Sequence, residues 1–285
     1  MKEQRLLVLL LALSWSTAHG QDLAKEIASV RFSVENVSTS RLKGTGIDVS
    51  TFELGVFSPI FYKKIESWSL GAAARYEWTE LEFTDKNLLD EQSLHALDLP
   101  LFLAKEQSEK LMWFLLFNPT LASDFDRIED DSFHYLTIFG ARYKTSETFQ
   151  WLLGALYSTG YDDDLFLPAL GFQWKLSEQV QLLFAGPVVR FQYSLSEKLD
   201  WILFSQPSGT KWNTRARYGE RDVRMRGLSL GTSLQWEFTK QHSLILSAGW
   251  QLAREIEIKD SSGATLLERD LETAPFVETG YRIHF

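Results

Sequence analysis

The C-terminal segment VETGYRIHF alternates strictly between two kinds of side chain up to its last residue. The odd-numbered residues from Val277 to Phe285 fall on one side of an extended chain, and the intervening glycine, charged residues and histidine fall on the other. A period of two predicts a β-strand. Its persistence to the chain end predicts that the final residues are paired within a sheet.

The same period recurs in SWSLGAAARYEW at residues 67–78, RGLSLGTSLQWEF at 226–238 and SLILSAGWQLA at 243–253. In each segment, large apolar residues share one face, and small, polar or charged residues mostly share the other. The alternation extends over about eleven residues, which is the length that a tilted strand needs to cross a bilayer. Aromatic residues lie toward the ends of these segments, as they do in outer-membrane barrels.

Five short polar turns and six longer loops separate the alternating segments. The pattern predicts an all-β fold, a transmembrane antiparallel up-and-down β-barrel of about 12 strands, with both termini in the periplasm. The strand-like residues 198–204 are assigned to the long sixth loop, 194–221, and Pro119 and Pro187 predict bulges. The predicted strands are 30–37, 46–60, 65–83, 92–104, 111–123, 132–145, 147–158, 164–176, 178–193, 221–239, 241–258 and 271–285.

An open sheet would leave backbone donors and acceptors unpaired in lipid, so the last strand is expected to close against the first. Tyr281, Ile283 and Phe285 resemble the C-terminal signal recognised by the bacterial barrel-assembly machinery. LFNPTLASDFD at 116–126 and FLPALGFQW at 166–174 resemble a family of outer-membrane barrels whose function is not established. The resemblance implies a bacterial outer-membrane location and supplies no catalytic residue. The alternative is an exported soluble β-sandwich.

The N-terminus has the order of a secretory signal peptide, with Lys2 and Arg5 before an apolar run and a small-residue cleavage pattern. Residues 1–20 are predicted to be removed before Gln21, which leaves residues 21–285 as one domain. An N-terminal membrane anchor is the alternative, but the apolar run is too short to span a bilayer. Cleavage changes the net charge from -9 to -10, which disfavours nucleic acid as a partner. The chain has no cysteine for disulfides or lipid attachment.

Charged residues occupy the predicted inward faces of the strands, because they would be costly facing lipid. They predict either a water-filled pore whose charges select solutes or a paired network that fills a narrow barrel. With His284, the candidate lumen residues are Arg31, Glu35, Glu53, Arg75, Glu77, Asp98, Arg142, Arg190, Glu237, Glu278 and Arg282.

A basic run lies within and just after the long sixth loop. It is either a solvated loop tip or a constriction in which the loop folds into the barrel mouth and its arginines face Glu237 and Glu278. Lipopolysaccharide phosphate is an alternative partner for these arginines. The run comprises Arg215, Arg217, Arg221, Arg224 and Arg226.

No arrangement in the sequence predicts an enzyme, a cofactor or a dedicated metal site. His134 near Ser132 is the pair closest to a hydrolase site, and the acidic segments at 128–132 and 161–165 are interpreted as solvated loops. The expected function is a narrow passive channel for small solutes, formed by a monomer in contact with outer-membrane lipid and lipopolysaccharide. The alternatives are a closed barrel with a structural or surface-interaction role and, less favoured, a lipid hydrolase.

Overall fold

The computed structural model describes residues 29–85, 89, 93–126, 128–159, 164–216 and 219–285, without the side chains of 215, 216, 219 and 220. The predicted signal peptide lies outside the described residues. A short 3-10 turn covers residues 130–132. The strands are β1 (Ser29–Arg41), β2 (Asp48–Ile65), β3 (Trp68–Phe83), β4 (Ser93–Asp98), β5 (Leu101–Glu106), β6 (Leu111–Ser123), β7 (Phe133–Lys144), β8 (Phe149–Ser158), β9 (Leu165–Lys175), β10 (Val180–Ala185), β11 (Val188–Ser196), β12 (Leu199–Ser208), β13 (Lys211–Ala216), β14 (Gly219–Thr239), β15 (His242–Asp260), β16 (Thr265–Asp270) and β17 (Ala274–His284).

The strands form one closed antiparallel barrel. β17 pairs with β1, and Ser29 lies opposite His284, so the predicted closure of the last strand on the first is confirmed. Three barrel strands are interrupted: β4 and β5 both pair with β3 and β6, β12 and β13 both pair with β14, and β16 and β17 both pair with β15. The seventeen segments therefore make a barrel of fourteen strands.

The prediction of about 12 strands is wrong at two places. Residues 178–193 form two strands, β10 and β11, joined by a tight turn at Gly186 and Pro187. Gly186 has a φ of 63°, which glycine adopts at no steric cost, and Pro187 has no N–H, so these residues suit a turn better than a bulge. Residues 198–204 lie mainly in β12, between β11 and β14, and not in a loop. The two corrections add one strand each, which preserves the even number.

The barrel wall has unequal height. Ser29, the first described residue, and the C-terminal end of β17 lie at one end, which we call the terminal end, and the opposite end is the loop end. β14 has 21 residues and β15 has 19, whereas β10 has six. The strands around β14 therefore extend beyond the low wall of β8–β11 at the loop end.

Neighbouring strands β15, β17 and β1 are irregular at similar heights. The register of β1 against β2 shifts between Val37 and Ser40. Ala253 in β15 has a φ of 47°, and residues 271–273 separate β16 from β17. Such bulges bend strands and increase their twist. Beyond them the β13–β14 hairpin crosses the interior and reaches β6, where Asn213 pairs with Ser123 in a parallel bridge.

Two apolar clusters fill much of the interior. The first, which we call the loop-end cluster, occupies the ring made by the tall strands, β4 and the end of β6, and its largest member, Trp212, is only 2% exposed. Its members are Leu42, Val49, Leu81, Phe83, Leu89, Leu94, Ala96, Ala122, Trp212, Val223, Ile256, Ile258 and Leu271. The second, the wall cluster, lines β5–β11 and comprises Ala104, Phe114, Ile138, Leu152, Leu156, Leu183, Ala185 and Val188.

The barrel exterior is apolar. Outward side chains such as Leu170, Trp250 and Val277 are more than half exposed, and similar residues occur on strands all around the barrel. Exposed tryptophans form a band near the turns of the terminal end: Trp68, Trp113, Trp151, Trp174 and Trp236. A soluble monomer seldom exposes so large a contiguous apolar surface. Across the described parts of the chain, no helix is long and apolar enough to span a bilayer.

The crossing of the β13–β14 hairpin to β6 can be tested with a disulfide. In the double variant Ser123→Cys/Asn213→Cys, we expect mild oxidation to give a cross-linked species with altered gel mobility, because bridge partners lie within disulfide range. The chain has no other cysteine. The pair Ser158→Cys/Asn213→Cys is the control, since Ser158 lies at the end of β8 on the low wall. Equal cross-linking of both pairs would contradict the described crossing.

Candidate lumen site

A cavity of about 320 Å³ lies in the barrel interior. Strands from both sides of the barrel contribute to its lining. Its walls differ in chemistry: one is charged and the other is apolar.

The charged wall is built by four consecutive strands, β17, β1, β2 and β3. The strand period places its residues inward, since Arg31 and Glu35 alternate with Phe32 and Val34, which are exposed on the exterior. The charged residues of this wall that line the cavity are Arg31, Glu35, Glu53, Arg75, Glu77, Glu278 and Arg282.

Ion pairs join several of these charges. Arg31 Nη2 donates to Glu278 Oε1 at 2.5 Å. Arg75 donates to the Glu77 carboxylate, and its Nη1 lies 3.9 Å from Asp98 Oδ2. The carboxylates of these pairs are at most 15% exposed, so their interactions are less screened than those of surface pairs. Arg31 and Arg75 are thus engaged with three carboxylates.

Three carboxylates form a row across this wall. Glu278 on β17 lies opposite Glu35 on β1, and Glu35 lies opposite Glu53 on β2. Like charges directly opposite each other destabilise a sheet unless other groups compensate for them. Glu278 has Arg31, and Glu35 accepts a hydrogen bond from Gln251 Nε2 at 2.9 Å. Among the described residues, no side chain forms a hydrogen bond or ion pair with the Glu53 carboxylate.

The opposite wall is apolar. It is formed by β5, β6, β7, β11 and β12, and aromatic rings such as Phe114 and Phe204 line it. Arg190 on β11 brings a positive charge to this wall. Its Nη2 lies 3.5 Å from Gln192 Oε1, and its buried Nε has no acceptor among the described residues. The cavity therefore presents an acid-rich wall to an apolar wall that carries an arginine.

The structure places eight of the eleven predicted lumen residues at the cavity. Asp98 adjoins them through Arg75. Arg142 and Glu237 lie toward the terminal end, as does His284, whose Nε2 is 3.2 Å from the hydroxyl of Ser243. A role in solute selection stays a prediction.

The apolar half of the site was not identified from the sequence. Ile202 and Phe204 line the cavity from β12, but residues 198–204 were assigned to a loop. The same period-two alternation that located the charged residues places these two side chains inward. The sequence pattern therefore contains this information, and the error lies in the loop assignment.

The predicted loop constriction is wrong about the partners of Arg224 and Arg226. Arg221, Arg224 and Arg226 belong to β14, because the tall hairpin continues the sheet beyond the low wall. Arg224 donates to Glu257, and Arg226 Nη2 donates to Glu255 Oε1 at 2.5 Å, on the strand face opposite the loop-end cluster. Their acidic partners are thus on β15 and are not Glu237 or Glu278. Of the remaining two, the Arg215 side chain and all of Arg217 lie outside the description.

Two of the residues considered for catalysis and for metal binding, Ser132 and Asp164, make local structural hydrogen bonds. The Ser132 hydroxyl accepts the backbone N–H of Glu129 next to the short 3-10 turn. Asp164 accepts a hydrogen bond from the Tyr157 hydroxyl at 2.7 Å, and residues 161–163 are outside the described ranges. In the described ranges, no group of three or more histidine, aspartate or glutamate side chains is placed to hold a metal ion.

The C-terminal residues proposed as an assembly signal complete β17. The Tyr281 hydroxyl lies 2.7 Å from His242 Nδ1, and its ring stacks on that of His242. Phe285 is 81% exposed beyond the strand end. Recognition of these residues during assembly stays a prediction.

Comparisons with known proteins give similar barrels at low sequence identity. One is an outer membrane channel from Pseudomonas putida F1 (11% identity, 90% of this chain and 94% of that chain, TM-score 0.47). A second is the P. putida toluene transporter TodX (11%, 90% and 90%, 0.43). A third is the KdgM porin in complex with disordered oligogalacturonate (7%, 90% and 99%, 0.40). No curated protein matches the sequence. A family model described as a domain of unknown function matches residues 35–284.

The ion pairs of the charged wall are expected to contribute to stability. Arg75→Ala leaves Glu77 and Asp98 without their cation and should lower the free energy of unfolding by about 3 kcal/mol. Urea denaturation of the refolded barrel measures the change. The control Lys64→Ala removes a half-exposed pair with Glu106 and should cost no more than about 1 kcal/mol. Equal losses in the two variants would show that the lumen pair is as screened as a surface pair.

Proposed function

The chain belongs to the family described as a domain of unknown function (DUF6268), and we propose that it is a monomeric barrel of the bacterial outer membrane that acts as a narrow passive channel for small solutes. The observation that carries the proposal is a charged cavity inside a closed barrel whose exterior is apolar. The role is passive and requires no catalytic residue.

The exterior supports a membrane setting. A closed barrel leaves no unpaired strand edge, which is the condition for β-structure in lipid. The tryptophan band near the terminal end has the character of an interfacial girdle, and Lys105 Nζ lies 5.0 Å from the ring centre of Trp68 within it. Lipid and lipopolysaccharide are the partners that this surface fits.

The connections support an orientation. Turns at the terminal end are short, as at residues 66–67, 197–198 and 240–241, whereas nine residues separate β3 from β4, and nine separate β6 from β7, at the loop end. Outer-membrane barrels place short turns in the periplasm and long loops outside. We therefore assign the terminal end to the periplasm.

The lumen supports passage of small polar solutes and limits their size. Charged groups from β17, β1, β2 and β3 keep the cavity hydrophilic, while the loop-end cluster fills the external end beside the tall strands. Passage to the exterior therefore requires movement at or beside that cluster. A low conductance is expected, because apolar constrictions restrict ion flow.

A closed barrel with a surface-interaction role is the second candidate. The observation that favours it is the dense packing of the loop-end cluster, in which Leu42, Leu81 and Val223 are fully buried. Single-channel recording in a planar bilayer separates the two candidates. Stable conductance steps support the channel, and silence from correctly folded protein supports the closed barrel.

Trp212→Ala is expected to raise the single-channel conductance by at least about twofold, because the indole is a large part of the apolar filling at the external end. Trp250→Ala is the matched control, since Trp250 faces outward and is 57% exposed. Heat-modifiable gel mobility identifies folded protein in both cases. An unchanged conductance in folded Trp212→Ala would exclude the loop-end cluster as the restriction.

Single cysteines test the orientation and the fourteen-strand topology together. In intact cells, a membrane-impermeant maleimide should label Pro187→Cys, at the external β10–β11 turn, and should label Lys198→Cys only after the outer membrane is permeabilised. A twelve-strand barrel would give the reverse pattern, with 187 inside a strand and 198 in an external loop. The cysteine-free parent chain is the background control.

A further inference from the structure

The charges at the cavity are not equally satisfied. Arg31 pairs with Glu278, and Arg75 pairs with Glu77 and Asp98. These groups form a closed set in which each charge has an opposite partner. They keep the wall hydrophilic, but they present little unpaired charge that a ligand could neutralise.

Glu53 is different from the rest of its wall. Arg75 and Arg254 act on it through space, but both donate elsewhere: Arg75 to Glu77, and Arg254 Nη1 to the Ser40 hydroxyl at 2.5 Å. Glu53 also lies directly opposite Glu35, which adds a second negative charge. A carboxylate in this position gains from a cation that enters the cavity.

Arg190 is the counterpart on the apolar wall. Within the described ranges no carboxylate lies within ion-pair distance of it, and its best hydrogen bond is the long contact with Gln192. Its buried Nε lacks an acceptor among those residues. An arginine in this state gains from a carboxylate ligand, which it can bind with two parallel hydrogen bonds.

Glu53 and Arg190 lie on facing walls. Their strands, β2 and β11, are six strands apart in one direction around the barrel and eight in the other. Phe57, Ile202 and Phe204 also line the cavity that they share. A ligand that satisfies both charges must carry them at opposite ends and must tolerate an apolar middle.

We infer that the cavity is a binding site for a small zwitterion whose ammonium and carboxylate groups are separated by an apolar chain, with Glu53 binding the ammonium group and Arg190 the carboxylate. A simple cation leaves Arg190 uncompensated, and a simple anion leaves Glu53 uncompensated. An α-amino acid carries both charges on one carbon and reaches only one wall. That this zwitterion is also the transported solute rests on the proposed channel function.

A series of six-carbon probes tests the inference. 6-Aminohexanoate carries the two charges at opposite ends, and its isomer norleucine carries them on one carbon. Hexylammonium and hexanoate each carry one charge. Titration calorimetry of the refolded protein should show that 6-aminohexanoate binds about tenfold more tightly than each of the other three, because it alone engages both charged groups.

Two isosteric or shortened variants assign the ends of the ligand. Glu53→Gln should weaken 6-aminohexanoate about tenfold and leave hexanoate unchanged, whereas Arg190→Gln should weaken it similarly and leave hexylammonium unchanged. The controls Glu106→Gln and Arg41→Gln alter exposed charges away from the cavity and should change neither affinity. Arg190→Met replaces Arg190→Gln if the latter does not fold.

The results distinguish this inference from the channel proposal. Equal affinity for norleucine and 6-aminohexanoate, equal affinity for hexylammonium, or no binding of any probe by a folded and conducting barrel would overturn the zwitterion site and leave the channel intact. Binding of 6-aminohexanoate that depends on Glu53 and Arg190, in a barrel that never conducts, would support the site and overturn the channel.

Discussion

Backbone hydrogen bonding is the constraint on which the rest of this structure depends. The outward side chains are apolar all around the barrel, so the sheet can meet an apolar medium only if every strand has two neighbours. The pairing of β17 with β1 completes the ring, with Val30 opposite Ile283 and Phe32 opposite Tyr281. Once the ring is closed, the period of two sends every second side chain into a limited interior, and the composition of that interior is fixed by the same alternation.

Because the barrel is closed, the charged side chains on its inner face must be compensated within the lumen. Arg31, Glu35 and Glu53 cannot reach bulk solvent through the wall, so they are compensated by neighbours, by water or by a ligand. The barrel solves part of this by pairing Arg31 with Glu278 across one strand boundary. It solves another part by segregation, since the wall cluster occupies the opposite sector and Arg190 remains there without a carboxylate among the described residues. An interior with one charged wall and one apolar wall can orient a ligand across the lumen, which a uniformly lined pore cannot do.

Period-two alternation predicted the fold class and the inward position of most charged residues, because the two faces of a strand meet different surroundings wherever the wall separates apolar exterior from lumen. The alternation was not sufficient where a strand does not separate an apolar exterior from the lumen. In the tall part of β14, one face packs against the loop-end cluster and the other carries the largely buried ion pairs of Arg224 and Arg226 with β15, so the alternation does not indicate the partners of these arginines. Gly186 and Pro187 turn the chain after only six residues of β10, too short for a crossing strand to be expected. The alternation also could not predict which residues lie opposite each other on adjacent strands, since the neighbour of Glu53 is set by the register between β1 and β2.

The unequal wall determines how the lumen can communicate with the exterior. A barrel of uniform height would open axially, but bulges near Val37, Ala253 and residues 271–273 carry the tall strands across the interior, and the loop-end cluster seals the ring they form. The low wall at Gly186 lies on the other side of the barrel, next to the strand that carries Arg190. A solute that enters beside the cluster therefore enters on the side of the apolar wall and Arg190, across the lumen from the carboxylate row. For a zwitterion, this arrangement places the carboxylate at Arg190 on the side of the low wall and the ammonium group across the lumen at Glu53, which gives the proposed channel a preferred orientation of its solute.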